Sequence, residues 1–161
     1  MNLLNNTKTY LVGPMEFADG QAWRDEATVW LEKLGVKVLN PYKIPFLFAP
    51  PENGQIQNEL LAKLAGGDED EILEVHDHMK SIVRFDLACV DRSDFIIAYL
   101  NPHTPTFGSI NEIVLARSLR KPLFLIIEGG ISACPLWLIG MFKPNYIYSS
   151  LEEVKAVIYG I

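Results

Sequence analysis

The segment Asn101–Glu112, NPHTPTFGSINE, is the first place in the chain where residue types and spacing point to chemistry. It leaves an apolar run, DFIIAYL, and enters a stretch with helical spacing, so it reads as a loop feeding a helix. Thr106, Gly108 and Ser109 stand there beside an acid, Glu112. With the helix starting near Ser109, Glu112 is expected in its first turn, where free amides and the positive dipole end favour the ionised carboxylate. A carboxylate facing a ligand cleft can attack an electrophilic carbon. The same Ser109-x-x-Glu112 spacing is also a capping box, in which the glutamate only closes the helix start. Spacing alone leaves both readings open.

A second acid, Asp86, belongs to a helical pattern over Lys80–Arg92. Its neighbours at i−4, i+3 and i+4 are Ile82, Cys89 and Val90, so it interrupts an apolar stripe instead of joining the polar face. Burial there would raise the carboxyl pKa, as a proton donor at neutral pH requires. A buried acid bonded to a helix end is the plainer alternative. Tyr10, in the first strand-like run, can orient a carboxylate through its hydroxyl or simply fill the core. Gly13-Pro14-Met15 lets a ligand approach the backbone closely, although Pro14 offers no amide to a phosphate. His76 and His78, two residues apart on a helix, point to different sides and read as solvated surface, not as a metal pair.

The elements that must position these groups follow from periodicity. Thr9–Val12 reads as a strand ending at a Gly-Pro turn. An amphipathic helix over Gly20–Leu34 carries Trp23, Ala27, Trp30, Leu31 and Leu34 at helical spacing, with Gly35 placed to end it. Val36–Leu39, Asp94–Leu100, Pro122–Ile127 and about Tyr146–Tyr148 read as further strands, and Ser109–Leu119 as a helix. Ser150-x-x-Glu153 makes a capping box at the start of a last helix. Between Tyr42 and Met79 the pattern loosens into a Pro-rich excursion, one short helix at NELLAKLA and an acidic GGDEDE break. This is expected to be an insertion, about residues 43–79, in a single domain spanning 1–161. Five strands with interleaved helices predict an α/β fold, a flavodoxin-like doubly wound parallel sheet with an inserted irregular and helical segment. Ligands bind such sheets beyond the carboxyl ends of the strands, which nominates the loops Gly13–Asp19, Asn101–Ser109 and Glu128–Pro135.

Composition narrows the function classes. Hydrophobic residues make up 49% and charged residues 21%, a globular balance. With 14 Lys and Arg against 20 Asp and Glu, the net charge of −6 opposes binding to a nucleic-acid polymer, and no basic cluster offsets it. No apolar run reaches the roughly 18 residues of a membrane helix. The start, MNLLNNTKTY, lacks a basic region and a small-residue cleavage site, so a cytoplasmic location without membrane attachment is expected. Two cysteines in apolar contexts, Cys89 and Cys134, suggest buried thiols in a reducing compartment. There is no CxxC, GxGxxG or P-loop, which weighs against zinc, dinucleotide and nucleoside-triphosphate readings.

Four stretches together resemble the nucleoside 2-deoxyribosyltransferase family: TYLVGPM, VLNPY, DLACVDRSDFIIAYL and TFGSINEIVLARSLRKPLFLI. The family's D/S-x-G-x-x-x-E signature, ahead of a helix and a Lys-Pro strand, is matched by Thr106–Glu112. The resemblance implies Glu112 as nucleophile, Asp86 as proton shuttle at the base and Tyr10 as the partner that positions Glu112. It also implies a homo-oligomer with shared active sites, in which a neighbouring subunit completes the pocket; Ser132–Trp137 is the stretch to watch. One position departs from the pattern. Nucleoside-using members open the signature with an aspartate that binds the sugar 5′-hydroxyl, and nucleotide-hydrolysing relatives have serine. Thr106 stands here, and a hydroxyl repels a phosphate far less than a carboxylate does.

The implied chemistry is a retaining displacement at C1′ of a deoxynucleoside or deoxynucleotide, released to a second base or to water, with no metal or organic cofactor required. Two rivals remain at this level. Ribosyl hydrolases of the cytokinin-activating or NAD-cleaving kind also set a glutamate beside a sugar, but the PGGxGT run of the former is missing. A receiver-like or nucleotide-binding module should carry clustered acids after the first strand, where this chain has Gly13-Pro14-Met15.

Overall fold

The computed structural model describes residues 3–15, 18–41, 54–104 and 106–160. Most of the Pro-rich excursion, residues 42–53, therefore lies outside the described residues.

β1 (Lys8–Val12) occupies the interior of a five-stranded, all-parallel sheet, flanked by β2 (Lys37–Leu39) and β3 (Phe95–Leu100). β4 (Leu123–Ile127) and the two-residue β5 (Ile147–Tyr148) follow, giving the order β2-β1-β3-β4-β5 of the doubly wound, flavodoxin-like sheet. Tyr10 pairs in register with Leu39 on one side and Ile96 on the other. Tyr146, expected in the last strand, instead closes a short 3-10 turn, Pro144–Tyr146, that leads into it.

Successive strand residues point to opposite faces, and the two faces carry different helices. Leu11, Ile97 and Ile126 pack with Trp23, Ala27, Trp30 and Leu31 of α1 (Ala18–Lys33) and with Leu151 and Val154 of α6 (Leu151–Tyr159). Tyr10, Val12, Ile96, Ala98 and Leu125 pack on the other face with Cys89 and Val90 of α3 (Glu69–Arg92), Ile113 and Ala116 of α4 (Phe107–Ser118), and Leu138 of α5 (Leu136–Met141). Tyr10 is thereby turned toward the helices that carry both acids. Gly35, at φ 76°, ends α1 as expected: the Val36 N–H reaches back to the Leu31 carbonyl oxygen at 3.1 Å.

The starts of α3 and α4 differ from expectation, and at α6 the cap does in part. α3 begins at Glu69, not Lys80, because the acidic stretch after α2 (Gly54–Gly66) is a helix start. Asp68 caps the Glu71 N–H at 3.0 Å, and the Glu71 carboxylate accepts from the Asp68 N–H at 3.2 Å. The expected loose segment up to Met79 is thus helical from residue 54 onward, apart from the brief break at residues 67–68. α4 begins at Phe107, two residues before Ser109, so Glu112 lies in its second turn and not its first. At α6, Ser150 caps the Glu153 N–H at 3.3 Å, but the Glu153 carboxylate turns to the Ser149 N–H (2.7 Å) and hydroxyl (2.6 Å). Half of the expected box is formed.

Candidate active site

β1 and β3 are the neighbours at which the strand order reverses, and a cleft of about 240 Å³ opens beside their carboxyl ends. The catalytic and substrate-binding candidates named from the sequence line it: Tyr10, Gly13, Pro14 and Met15 from β1 and its following loop, Asp86 from α3, and Thr106, Gly108, Ser109 and Glu112 from the start of α4; the nominated loop Glu128–Pro135 does not.

The Tyr10 hydroxyl donates to Glu112 Oε1 at 3.0 Å, across 102 residues of chain. Both are almost fully buried, at 2% and 7% exposure. The capping alternative for Glu112 therefore fails. The N-cap of α4 is Thr106, whose side chain makes no capping bond, and the α4 start carries no acid in its first turn. Glu112 projects from the second turn toward the sheet, where the Tyr10 hydroxyl meets it.

Asp86 is half-buried, with Ile82, Cys89 and Val90 buried around it on α3, as the interrupted stripe predicts. Two neighbours register its charge together with that of Glu112. Burial raises the Tyr10 pKa well above its usual 10.0, and the Glu112 and Asp86 carboxylates add to the rise. Burial likewise pushes the Cys89 thiol up to about 12, with Asp86 and then Glu112 contributing. Tyr10 is thus a neutral hydrogen-bond donor, and Cys89 a neutral packing residue, at physiological pH.

The two glycines of the cleft have different physical reasons. A Cβ on Gly13 would come within 2.8 Å of the Tyr99 carbonyl oxygen and 3.1 Å of the Trp23 ring, so this glycine serves the close approach of its own loop to β3. A Cβ on Gly108 would meet no protein atom within 4 Å and would project into open space. The N-terminal amides of α4, beside Gly108 and Ser109, lack intrahelical acceptors and suit an anionic or hydroxyl ligand group.

A larger hollow of about 500 Å³ adjoins the cleft, sharing Thr106 and Phe107 with it and lined further by Asn101, Asn111, Pro135 and Leu138. Its volume exceeds that of the cleft, yet it holds neither acid. Both acids, Asp86 and Glu112, line the smaller one. Phe107, which lines this hollow, is 83% exposed, and Leu136 and Trp137, which follow its lining residue Pro135 in the chain, are 89% and 65% exposed.

Residues 9–132 of the chain match the family model described as Nucleoside 2-deoxyribosyltransferase. The chain belongs to the nucleoside 2-deoxyribosyltransferase family. The matched span runs from β1 to the turn after β4 and so contains all the family-motif positions considered above. No curated protein matches the chain. The family's sheet and its signature meet in one cleft.

One residue of that cleft escaped the reading of the sequence. Arg24 of α1 is 1% exposed and lines the cleft next to Gly13 and Pro14. The rule that found Asp86 would have found it: Arg24 stands four residues before Thr28 and seven before Leu31, a charge inside the buried stripe of α1. His76, by contrast, is exposed and His78 half-buried, and among the described residues no group of three or more His, Cys, Asp or Glu is placed to hold a metal ion. No helix among the described residues is long and apolar enough to cross a membrane.

Proposed function

We propose that the protein cleaves the N-glycosidic bond of a 2′-deoxynucleoside or its 5′-monophosphate and passes the sugar to another base. The observation that carries this reading is the buried Tyr10–Glu112 hydrogen bond, which sets a carboxylate into a cleft also lined by Asp86. Glu112 attacks C1′ from the face opposite the base, through an oxocarbenium-like transition state. The C1′–N bond breaks, its electron pair goes to the base nitrogen, and Asp86 delivers the proton that neutralises the departing base, directly or through water. Tyr10 keeps Glu112 pointed at the sugar carbon. The resulting deoxyribosyl ester of Glu112 is opened by the nitrogen of a second base, whose proton returns to Asp86. Gly13, Pro14, Met15, Thr106, Gly108 and Ser109 surround the sugar. The absence of a 2′-hydroxyl eases formation of the oxocarbenium, which favours deoxyribose.

Hydrolysis of the 5′-monophosphate is a second reading, favoured by Thr106. Its side chain is not spent on capping α4, and it stands at the helix start beside amides suited to phosphate oxygens. The exposed Phe107, Leu136 and Trp137 supply an apolar face for a second subunit, the arrangement in which a neighbour completes the pocket.

Incubation with one deoxynucleoside and a different free base distinguishes the two readings. An exchanged nucleoside marks transfer and free deoxyribose marks hydrolysis; with the 5′-monophosphate as substrate, hydrolysis releases deoxyribose 5-phosphate. Parallel reactions with the nucleoside and its 5′-monophosphate test the role assigned to Thr106. A Glu112→Gln protein that folds normally yet retains full turnover overturns the mechanism.

A further inference from the structure

We infer that Arg24 is a positioning residue of the cleft, holding the loop that forms its sugar-facing wall; the inference rests on the proposed deoxynucleoside site. Its guanidinium donates to four backbone carbonyl oxygens. Nε reaches Leu11 at 3.2 Å, Nη2 reaches Gly13 at 2.6 Å, and Nη1 reaches Pro14 at 2.8 Å and Gly20 at 2.7 Å. Three of these acceptors belong to β1 and the loop directly after it. The fourth is one turn back on α1, so the loop is tied to the helix that follows it.

A buried cation is costly unless its donors are satisfied, and the planar fork meets that condition here with carbonyls. The ring of Trp23 lies 5.1 Å from the guanidinium carbon and stacks on Tyr99 of β3 at 5.5 Å, which fixes the plane of the fork. The Gly13 and Pro14 carbonyl oxygens are held by the guanidinium, which fixes the path of the loop along the cleft. A positive charge also backs the wall of a cleft that carries two acids. Lysine cannot reproduce this, because an ammonium has no fixed fork with which to span the carbonyls of Leu11, Gly13 and Pro14.

The test compares Arg24→Lys with Thr28→Val. The Thr28 hydroxyl, 3% exposed, donates to the Arg24 backbone carbonyl at 2.6 Å and accepts from the Asn40 amide at 3.2 Å. Its loss loosens α1 without touching the loop. Turnover of a deoxynucleoside and its 5′-monophosphate is measured beside amide hydrogen exchange over residues 11–15. The expected result is a fall in kcat/KM of at least tenfold in Arg24→Lys, with the larger share in KM, and faster exchange confined to residues 11–15. Thr28→Val at matched loss of Tm should change kcat/KM less than threefold. Equal losses in the two variants, or unchanged exchange in Arg24→Lys, overturn the inference. An inactive wild-type protein sinks the functional reading instead, and exchange over residues 11–15 then decides alone whether Arg24 holds the loop.

Discussion

Replacing Tyr10 by Phe removes one oxygen and leaves the ring to fill the same space in the core. Glu112 Oε1 then loses a donor at 3.0 Å in a site where the tyrosine is 2% and the glutamate 7% exposed. A hydrogen bond to a charged group contributes about 1.5–3 kcal/mol. If that energy holds the carboxylate ionised and aimed at C1′, its loss converts to roughly a 10- to 100-fold fall in kcat/KM, at 1.36 kcal/mol per decade. Steady-state kinetics on a deoxynucleoside, with Tm measured in parallel, reads both effects. An unchanged kcat/KM would refute the positioning role. A lowered Tm with unchanged turnover would show that the bond serves the fold alone. Alkaline stability gives an independent check. The Tyr10 pKa is raised above 10.0 in the folded protein, so its contribution is complete below about pH 10 and is lost as pH rises beyond it. Tyr10→Phe should flatten the decline in stability above that pH.

Cys89 adds an earlier phase to the same decline. Its thiol rises from 9.0 to about 12, so stability should fall between those pH values, and Cys89→Ala should remove that part of the slope in denaturant titrations at successive pH. Asp86→Asn should lower kcat by about 100-fold or more, as loss of a general acid does, and least for substrates whose base departs readily without a proton; a uniform loss across leaving groups would argue against proton donation. The cleft glycines should separate. Gly108→Ala meets no protein atom and should keep Tm or raise it slightly, while its methyl raises KM. Gly13→Ala, facing the Tyr99 oxygen at 2.8 Å, should lower Tm, with a strain of about 1–3 kcal/mol. Melting curves and KM values of the two variants decide this.

What the chain determines by itself is what local spacing can encode. The apolar runs at Leu11, Ile97 and Ile126 set the strands, and the stripe through Trp23, Ala27 and Leu31 sets α1. Asp86 announces itself as an acid inside an apolar stripe, and its neighbours Ile82, Cys89 and Val90 are buried as that pattern requires. Helix starts were less legible, since Thr106 and Ser109 are both plausible caps and a shift of two residues moves Glu112 from the first turn to the second. The acidic run at Asp68 contained a D-x-x-E capping pattern that its glycines disguised as a break.

Only the tertiary structure decided where the Glu112 carboxylate goes. Its spacing from Ser109 fits a capping box as well as a cleft-facing acid, and the cap is excluded by a helix that starts at Phe107 and by a hydroxyl 102 residues away that holds the carboxylate. That hydroxyl arrives because parallel pairing of β1 with β3 sets Tyr10 level with Ile96, while the pleat turns it toward the face covered by α3 and α4. Arg24 illustrates the same limit from the other side. Its charge in a buried stripe is visible in the sequence, but its acceptors are carbonyls, which every residue possesses, and only the folded path of the loop selects which ones it gathers.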